Sequence, residues 1–375
     1  MMQKNLFTWG FILISLVGPS PSLLFAEEVP WLAEVTKVPD SVSKPAKPLQ
    51  DLLANSFVND NAQHIESWET WQRKRAELIE LWKSDLGVMP DRPADTGFIV
   101  KSTEALNWGS RELIEYECEQ GIRVQAYLLR PRQSENKQSE NKLRAGILAL
   151  HPTTSLTIDA IAGVSGEPKQ HTAVALVERG FVVLCPRCFL WQDAKNADDA
   201  VQQHRTRHPG VTGMAKMLYD AQRALDILAS LPGVDPNRLG AFGHSLGAKE
   251  VLYLMAFDER IRAGVASEGG VSLESTNWNA PWYLGDLATD PTWERNHHEL
   301  LAFTVPRPLL IIGGESGPGA ADGTRSWPLI QSAHAVSRLS KLPTRLGLLN
   351  HGLGHPLPRR ELEKGIEWLT TYTSG

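Results

Sequence analysis

From position 145 to its end the chain repeats one pattern, a short unbroken apolar run followed by an amphipathic stretch. That alternation constrains the fold more than any other feature. The runs are AGILALH (145–151), FVVLCP (181–186), RLGAFGH (238–244), IRAGVAS (261–267), PLLIIGG (308–314) and RLGLLNH (345–351). None alternates apolar with polar residues as a half-exposed strand does, so each reads as a strand covered on both faces. Between them lie segments of helical period. In TGMAKMLYDAQRALDILASL (212–231), for example, Met214, Met217, Leu218, Ala221, Leu225 and Leu228 share one face. Repeated strand, helix, strand units imply the α/β class, a mainly parallel sheet with helices on both sides.

The region before this pattern is organised differently. GFIVKSTEAL (97–106) and RELIEYECEQGIRVQAYLLRPR (111–132) read as antiparallel strands, the second stretch folding back at its Glu-Gln-Gly turn. The duplicated pentapeptide QSENKQSENK (133–142) is too polar for anything but a solvated loop. Further upstream, HIESWETWQRKRAELIELWKSDLG (64–87) places Trp68, Trp71, Leu78, Leu81 and Trp82 at helical spacing, after the Pro/Ser/Lys linker KVPDSVSKPAKPLQ (37–50). The first 26 residues carry one lysine, an apolar run from Leu6 to Val17, a Pro/Ser break, and Ala26 ahead of Glu27 and Glu28. This is the layout of a cleaved export signal, and the run is short for a spanning helix of about 20 residues. The expected organisation is a signal peptide (1–26), a linker and helical N-terminal arm (27–95), and a catalytic domain (96–375). Localisation is then periplasmic or secreted, with no stable membrane insertion after cleavage.

Composition removes several classes of function. A formal net charge of -5 gives no basic surface for nucleic acid. The three cysteines, Cys118, Cys185 and Cys188, are an odd set and exclude a disulfide framework. Cys185 and Cys188 have C-x-x-C spacing, but Cys185 ends an apolar strand instead of opening a helix, so they read as structural. His204 with His208, and His297 with His298, lack a third ligand, so neither a metal site nor any cofactor is expected.

The segment RLGAFGHSLGAKE (238–250) carries the chemistry. Gly243-His244-Ser245-Leu246-Gly247 has G-x-S-x-G spacing between an apolar strand and the helical stretch GAKEVLYLMAF. A serine hydroxyl is a weak nucleophile and must be held on a tight turn beside a base, and the glycines allow strand and helix to approach closely. The base is expected on the loop past the last strand, where LLNHGLGHPLP offers His351 and His355. His355, after Gly354, is the better placed, and His351 reads as a brace for the loop. Backbone amides must stabilise the oxyanion of acyl transfer. Leu246, directly after the serine, is one candidate. Thr153 is the other, with Thr154 as the near alternative, since Pro152 has no N–H.

With these residues in place the chain resembles the α/β-hydrolase superfamily, more narrowly dienelactone-hydrolase-like and acetyl-xylan-esterase-like exported esterases. The resemblance covers about Gly97 to Thr370. It rests on LHPTT, PGVTGMAKMLYDAQRALD, GHSLGAKE, TNWNAPWYLG, HHELLAFTVPRPLLI, ADGTRSWP and LLNHGLGH. It implies an eight-stranded, mostly parallel sheet and a Ser/acid/His triad in that chain order. In most of the superfamily the acid follows the strand before the last, which points to Asp322 in GGESGPGAADGTRSW. The alternative is Glu268 in ASEGG. Fungal glucuronoyl esterases, similar in fold, carry their acid after the corresponding strand, and a lysine four residues past the serine helps bind the sugar acid there. Lys249 stands at that position here, although the Cys and Arg of their serine motif are absent. Lys249, Trp278 and Trp327 are the expected substrate contacts, the flat rings suiting a sugar or aromatic group. Trp282 and Trp293 fall in the same Trp-rich, lid-like stretch (272–303).

The expected function is hydrolysis of carboxylic esters, carbohydrate-linked or small acyl, through an acyl-enzyme. The alternatives are a glucuronoyl-esterase-like enzyme, a serine peptidase of the same fold, or a non-catalytic binding protein. A peptidase calls for a larger N-terminal gating domain than residues 27–95 provide. A binding protein calls for a missing member of the triad.

Overall fold

The computed structural model describes residues 27–45, 48–54, 64–132 and 143–374. The expected leader (1–26) and the duplicated polar loop (133–142) lie outside the described residues. The strands are β1 (Phe98–Leu106), β2 (Gly109–Glu119), β3 (Ile122–Pro131), β4 (Arg144–Leu150), β5 (Val182–Pro186), β6 (Val234–His244), β7 (Ile261–Ser267), β8 (Leu309–Gly313) and β9 (Leu346–Asn350). They form one nine-stranded sheet in the order β1-β2-β3-β5-β4-β6-β7-β8-β9. The strand count is therefore nine among the described residues, where the family resemblance implied eight. Pairing is antiparallel from β1 through β2 and β3 to β5. It is parallel from β5 through β4, β6, β7 and β8 to β9.

The helices are α1 (Leu32–Thr36), α2 (Trp68–Leu86), α3 (Thr157–Ile161), α4 (Thr172–Glu178), α5 (Ala197–Arg207), α6 (Gly213–Ser230), α7 (Leu246–Phe257), α8 (His297–Thr304), α9 (Trp327–Ser337) and α10 (Arg359–Thr373). The unbroken apolar runs now have their explanation. In β4, Leu148 and Leu150 face the core shared with α2, α6, α7, α8 and α9. Ile147 and Ala149, on the opposite face, join the core made with α1, α3, α4 and α10. Successive side chains of a strand point to opposite faces, so a strand covered on both must be apolar throughout. β1 is an edge strand with most of its residues exposed, and accordingly reads as mixed polar sequence.

The stretch upstream of the sheet is packed onto it. The Ser67 hydroxyl accepts from the Thr70 amide at 3.2 Å and caps α2. Trp82, at the far end of that helix, donates to Glu299 of α8 at 2.6 Å, and the Thr212 amide donates to the Leu86 carbonyl at 2.9 Å. In α6, Met214, Met217, Ala221, Leu225 and Leu228 are buried as their spacing implies, whereas Leu218 is only partly covered. Leu218 borders a cavity of about 600 Å³ between residues 86–96 and α6 that also touches Met89, Tyr219 and Arg223. Cys118, Cys185 and Cys188 are unpaired and buried, and burial pushes all three thiols up. No helix among the described residues is long and apolar enough to cross a membrane.

Parallel strands running the same way bring their C-terminal ends to one edge, the usual place for a site in an α/β sheet. Here that edge gathers the loops after β4, β6, β7, β8 and β9.

Candidate active site

Ser245 stands alone between β6 and α7 with φ 58° and ψ -116°, a conformation that side chains other than glycine rarely adopt. The flanking glycines make it attainable. A Cβ on Gly243 would lie 2.1 Å from the Gly247 carbonyl oxygen, and one on Gly247 would lie 2.2 Å from the Leu150 carbonyl oxygen at the end of β4. The Ser245 amide donates to the Ser267 carbonyl at 2.7 Å, which ties the turn to the end of β7. Leu246 is the first residue of α7, so its amide has no partner inside the helix. Thr153 is exposed on the loop after β4.

That loop has an organiser to which the sequence reading assigned no role. His151 is buried, its Nδ1 donating to the Pro152 carbonyl at 2.9 Å and its Nε2 accepting from the Cys188 amide at 3.0 Å. Burial pushes its ring down to about 4, so it stays neutral and keeps both bonds. The only signal was a histidine ending a buried strand directly before Pro152.

His355 reaches Ser245 from the loop after β9, its Nε2 lying 2.9 Å from the serine Oγ. Its Nδ1 lies 2.8 Å from the carbonyl oxygen of Gly319. A carbonyl only accepts, so Nδ1 carries the proton and Nε2 is left bare to accept from the serine hydroxyl. Burial lowers the ring's affinity for a second proton, which the Gly319 bond and the charge of Asp322 partly offset.

Neither expected carboxylate is a hydrogen-bond partner of His355. Asp322 accepts from the amides of Gly270 at 2.9 Å and Val271 at 2.8 Å and from the Ser326 hydroxyl at 2.6 Å. Those donors take up both its oxygens and turn the side chain toward the segment after β7. Glu268, at φ 54°, accepts on Oε2 from the Ala321 amide at 2.8 Å, while its Oε1 lies 3.2 Å from Nε2 of His351. Burial pushes its carboxyl up to about 7. His351 is thus brought to Glu268, and His355 to Ser245.

The expected substrate contacts are enclosed. Trp278 is fully buried and donates to the Gly270 carbonyl at 2.7 Å. Trp327 is 1% exposed and packs its ring edge-on with His334. The Lys249 ammonium sits 3.7 Å from the centre of the Trp278 ring and donates to the Thr276 hydroxyl at 2.5 Å. Burial lowers it to about 7. The void beside Lys249, Trp278 and Asp322 holds only about 10 Å³, too little for a sugar. The Trp-rich stretch is docked wall in this structure. The Trp293 ring donates to Asp85 at 2.8 Å, and a Cβ on Gly213 would lie 2.3 Å from the Trp282 carbonyl oxygen. Among the described residues no group of three or more His, Cys, Asp or Glu is placed to hold a metal ion.

Residues 152–302 match the model of the Dienelactone hydrolase family. Among solved structures the chain is similar to a glucuronoyl esterase from Solibacter usitatus, with TM-score 0.70 and 16% identity over 88% of this chain and 99% of that one. The chain has the α/β-hydrolase fold. A CE15 glucuronoyl esterase from Teredinibacter turnerae T7901 shares this α/β-hydrolase arrangement, with TM-score 0.63 and 18% identity over 86% of this chain and 88% of the other. The glucuronoyl esterase catalytic domain from Hypocrea jecorina aligns with TM-score 0.58 and 16% identity over 89% and 91% of the two chains. A search of curated proteins returned no match. Within the α/β-hydrolase fold, the serine at the strand-to-helix turn and the histidine past the last strand form a hydroxyl–imidazole pair across which a proton can pass.

Proposed function

We propose that the chain is a serine esterase that cleaves carboxylic esters through an acyl-enzyme. The observation that carries this reading is the 2.9 Å approach of His355 Nε2 to the hydroxyl of Ser245 on its strained turn. His355 takes the serine proton as Oγ attacks the ester carbonyl, and the oxyanion is met by the amides of Leu246 and Thr153. The same ring then protonates the departing alcohol, and water repeats the sequence to release the acid. Gly319, through its carbonyl, holds the tautomer that this requires. The catalytic unit spans 96–375, with 27–95 as a supporting arm whose described residues pack on it, and the chain is exported to the periplasm or beyond by its leader.

The proposed substrates are small acyl or carbohydrate-linked esters. Glucuronoyl esters are the second reading, supported by the glucuronoyl esterases among the similar structures and by Glu268 at the end of β7. The test is a panel of acetylated sugars, methyl glucuronate esters, lactones and short aryl esters, run with the parent and with Ser245→Ala. Turnover of at least one ester class that vanishes with the serine supports the proposal. Turnover of none, or turnover that survives Ser245→Ala, overturns it.

A further inference from the structure

The loops meeting at His355 leave one buried pair without a use in that reaction. Glu268 and the side chain of His351 are essentially inaccessible to solvent, at 0% and 2% exposed. The Leu353 amide donates to Nδ1 of His351 at 3.2 Å, so the proton of this ring resides on Nε2. That nitrogen faces Oε1 of Glu268 at 3.2 Å. The other carboxylate oxygen accepts from Ala321, two residues past the Gly319 whose carbonyl receives His355.

Glu268 therefore stands between the two loops that define where His355 lies. One is the histidine's own loop, 351–355. The other is the loop after β8 that supplies its acceptor. The loops are in close backbone contact. A Cβ on Gly314 would lie 2.0 Å from the Leu353 carbonyl oxygen, 2.4 Å from that of Gly354 and 2.8 Å from Oε1 of Glu268. The His355 amide donates to the Pro318 carbonyl at 3.1 Å, and the His351 amide to the Gly313 carbonyl at 2.9 Å. With the loops this close, a shift at Glu268 moves the imidazole and its acceptor relative to Ser245.

We propose that Glu268 is a positioning residue for His355, acting through His351 on one loop and through Ala321 on the other, without touching the catalytic ring. The proposal rests on the serine-esterase reading and deepens it. The carboxyl group spans the two loops: its Oε2 accepts from the Ala321 amide, while its Oε1 lies 3.2 Å from Nε2 of His351, a buried close contact without hydrogen-bond geometry. Glu268→Gln keeps the shape but removes the charge and turns one of the two oxygens into an N–H donor, so either the Ala321 bond or the contact with His351 changes character.

The experiment compares parent, Glu268→Gln, His351→Gln and the double variant on a short aryl ester, with Ser245→Ala as control. Each single change is expected to lower kcat about 10- to 100-fold with KM unchanged, the scale of a misplaced catalytic group. The double variant is expected to fall within about threefold of the worse single, since both break one linkage. A drop of about 10⁴ in Glu268→Gln alone, with His351→Gln near the parent, would assign Glu268 directly to the ring and overturn the proposal. Multiplicative losses in the double variant, or singles near the parent, also overturn it while leaving the esterase reading intact. Turnover that survives Ser245→Ala overturns both. If Glu268→Gln does not fold, His351→Gln decides alone: lowered kcat at constant KM supports the linkage, and parental kinetics contradict it.

Discussion

The turn at Ser245 and the loop from Gly314 to Gly323 end neighbouring parts of the same sheet edge, and both touch His355, yet they do so by different means. In the proposed reaction, side-chain identity is what matters at the turn. The nucleophile must be a hydroxyl, and the glycines on either side are required by approaches near 2 Å. At the loop, the backbone is what matters, since a carbonyl oxygen of Gly319 receives the imidazole N–H. The acids in that region are committed elsewhere: Asp322 pins the segment after β7, and Glu315 accepts from Thr324 and Asn350. An orienting acceptor for a neutral histidine has only to be an oxygen with a lone pair, whereas a nucleophile has to be a particular side chain.

That difference can be broken or sharpened by substitution. The largest effect is expected at the two residues in direct contact. His355→Ala should lower kcat on the order of 10⁶-fold, as loss of the base in a serine hydrolase does, measured on the best ester of the panel. His351→Ala should be far milder, and the reverse ranking would show that the wrong histidine has been assigned. Next comes Gly247→Ala, whose Cβ would lie 2.2 Å from the Leu150 carbonyl oxygen and so must displace the turn. A fall in kcat of about 10²-fold is expected, because the hydroxyl moves relative to His355.

Asp322→Asn tests the loop side. As a direct triad acid it would cost about 10⁴ in kcat. As an anchor for Gly270 and Val271 it should cost under about tenfold in kcat and about 1–3 kcal/mol of stability, read by denaturant unfolding. The pH profile is subtler. The neutral ring is the active form, so activity rises with pH. Burial lowers the His355 pKa, so the midpoint of that rise should fall below the ordinary histidine value of 6.5. A midpoint above 6.5 would indicate a carboxylate partner that favours the charged ring. The smallest effect is expected for Lys249→Met, which keeps the stem and removes the enclosed ammonium. KM for a methyl glucuronate ester should change less than about threefold, and a selective rise would mean that the 272–284 segment opens to admit substrate.

Legibility in the sequence follows the same division. The six apolar runs and α6 could be read because burial on both faces leaves few polar positions within β4 to β9, mostly at the ends of the runs. The meeting of Ser245 and His355 could be read because the strand-to-helix turn and the loop past the last strand end at the same edge of the sheet. The acid could not, since Glu268 directly follows β7 and Asp322 lies in the loop after β8, two equally suitable places by sequence, and only the fold shows that each is held by other donors. His151 was hidden for a related reason, as its task is to brace backbone. The tryptophans misled because a ring that stacks on sugar and a ring that fills a core have the same sequence signature. Trp278 and Trp327 are core.

The central claim is that Ser245, activated by His355, is the atom that attacks the ester. Treating the protein with a phosphonylating reagent and locating the adduct by peptide mass mapping tests it most directly. The account expects one adduct per chain, on Ser245, formed in proportion to the loss of ester hydrolysis and strongly slowed in His355→Ala. An adduct on another residue, or hydrolysis that continues after Ser245 is fully modified, would contradict it.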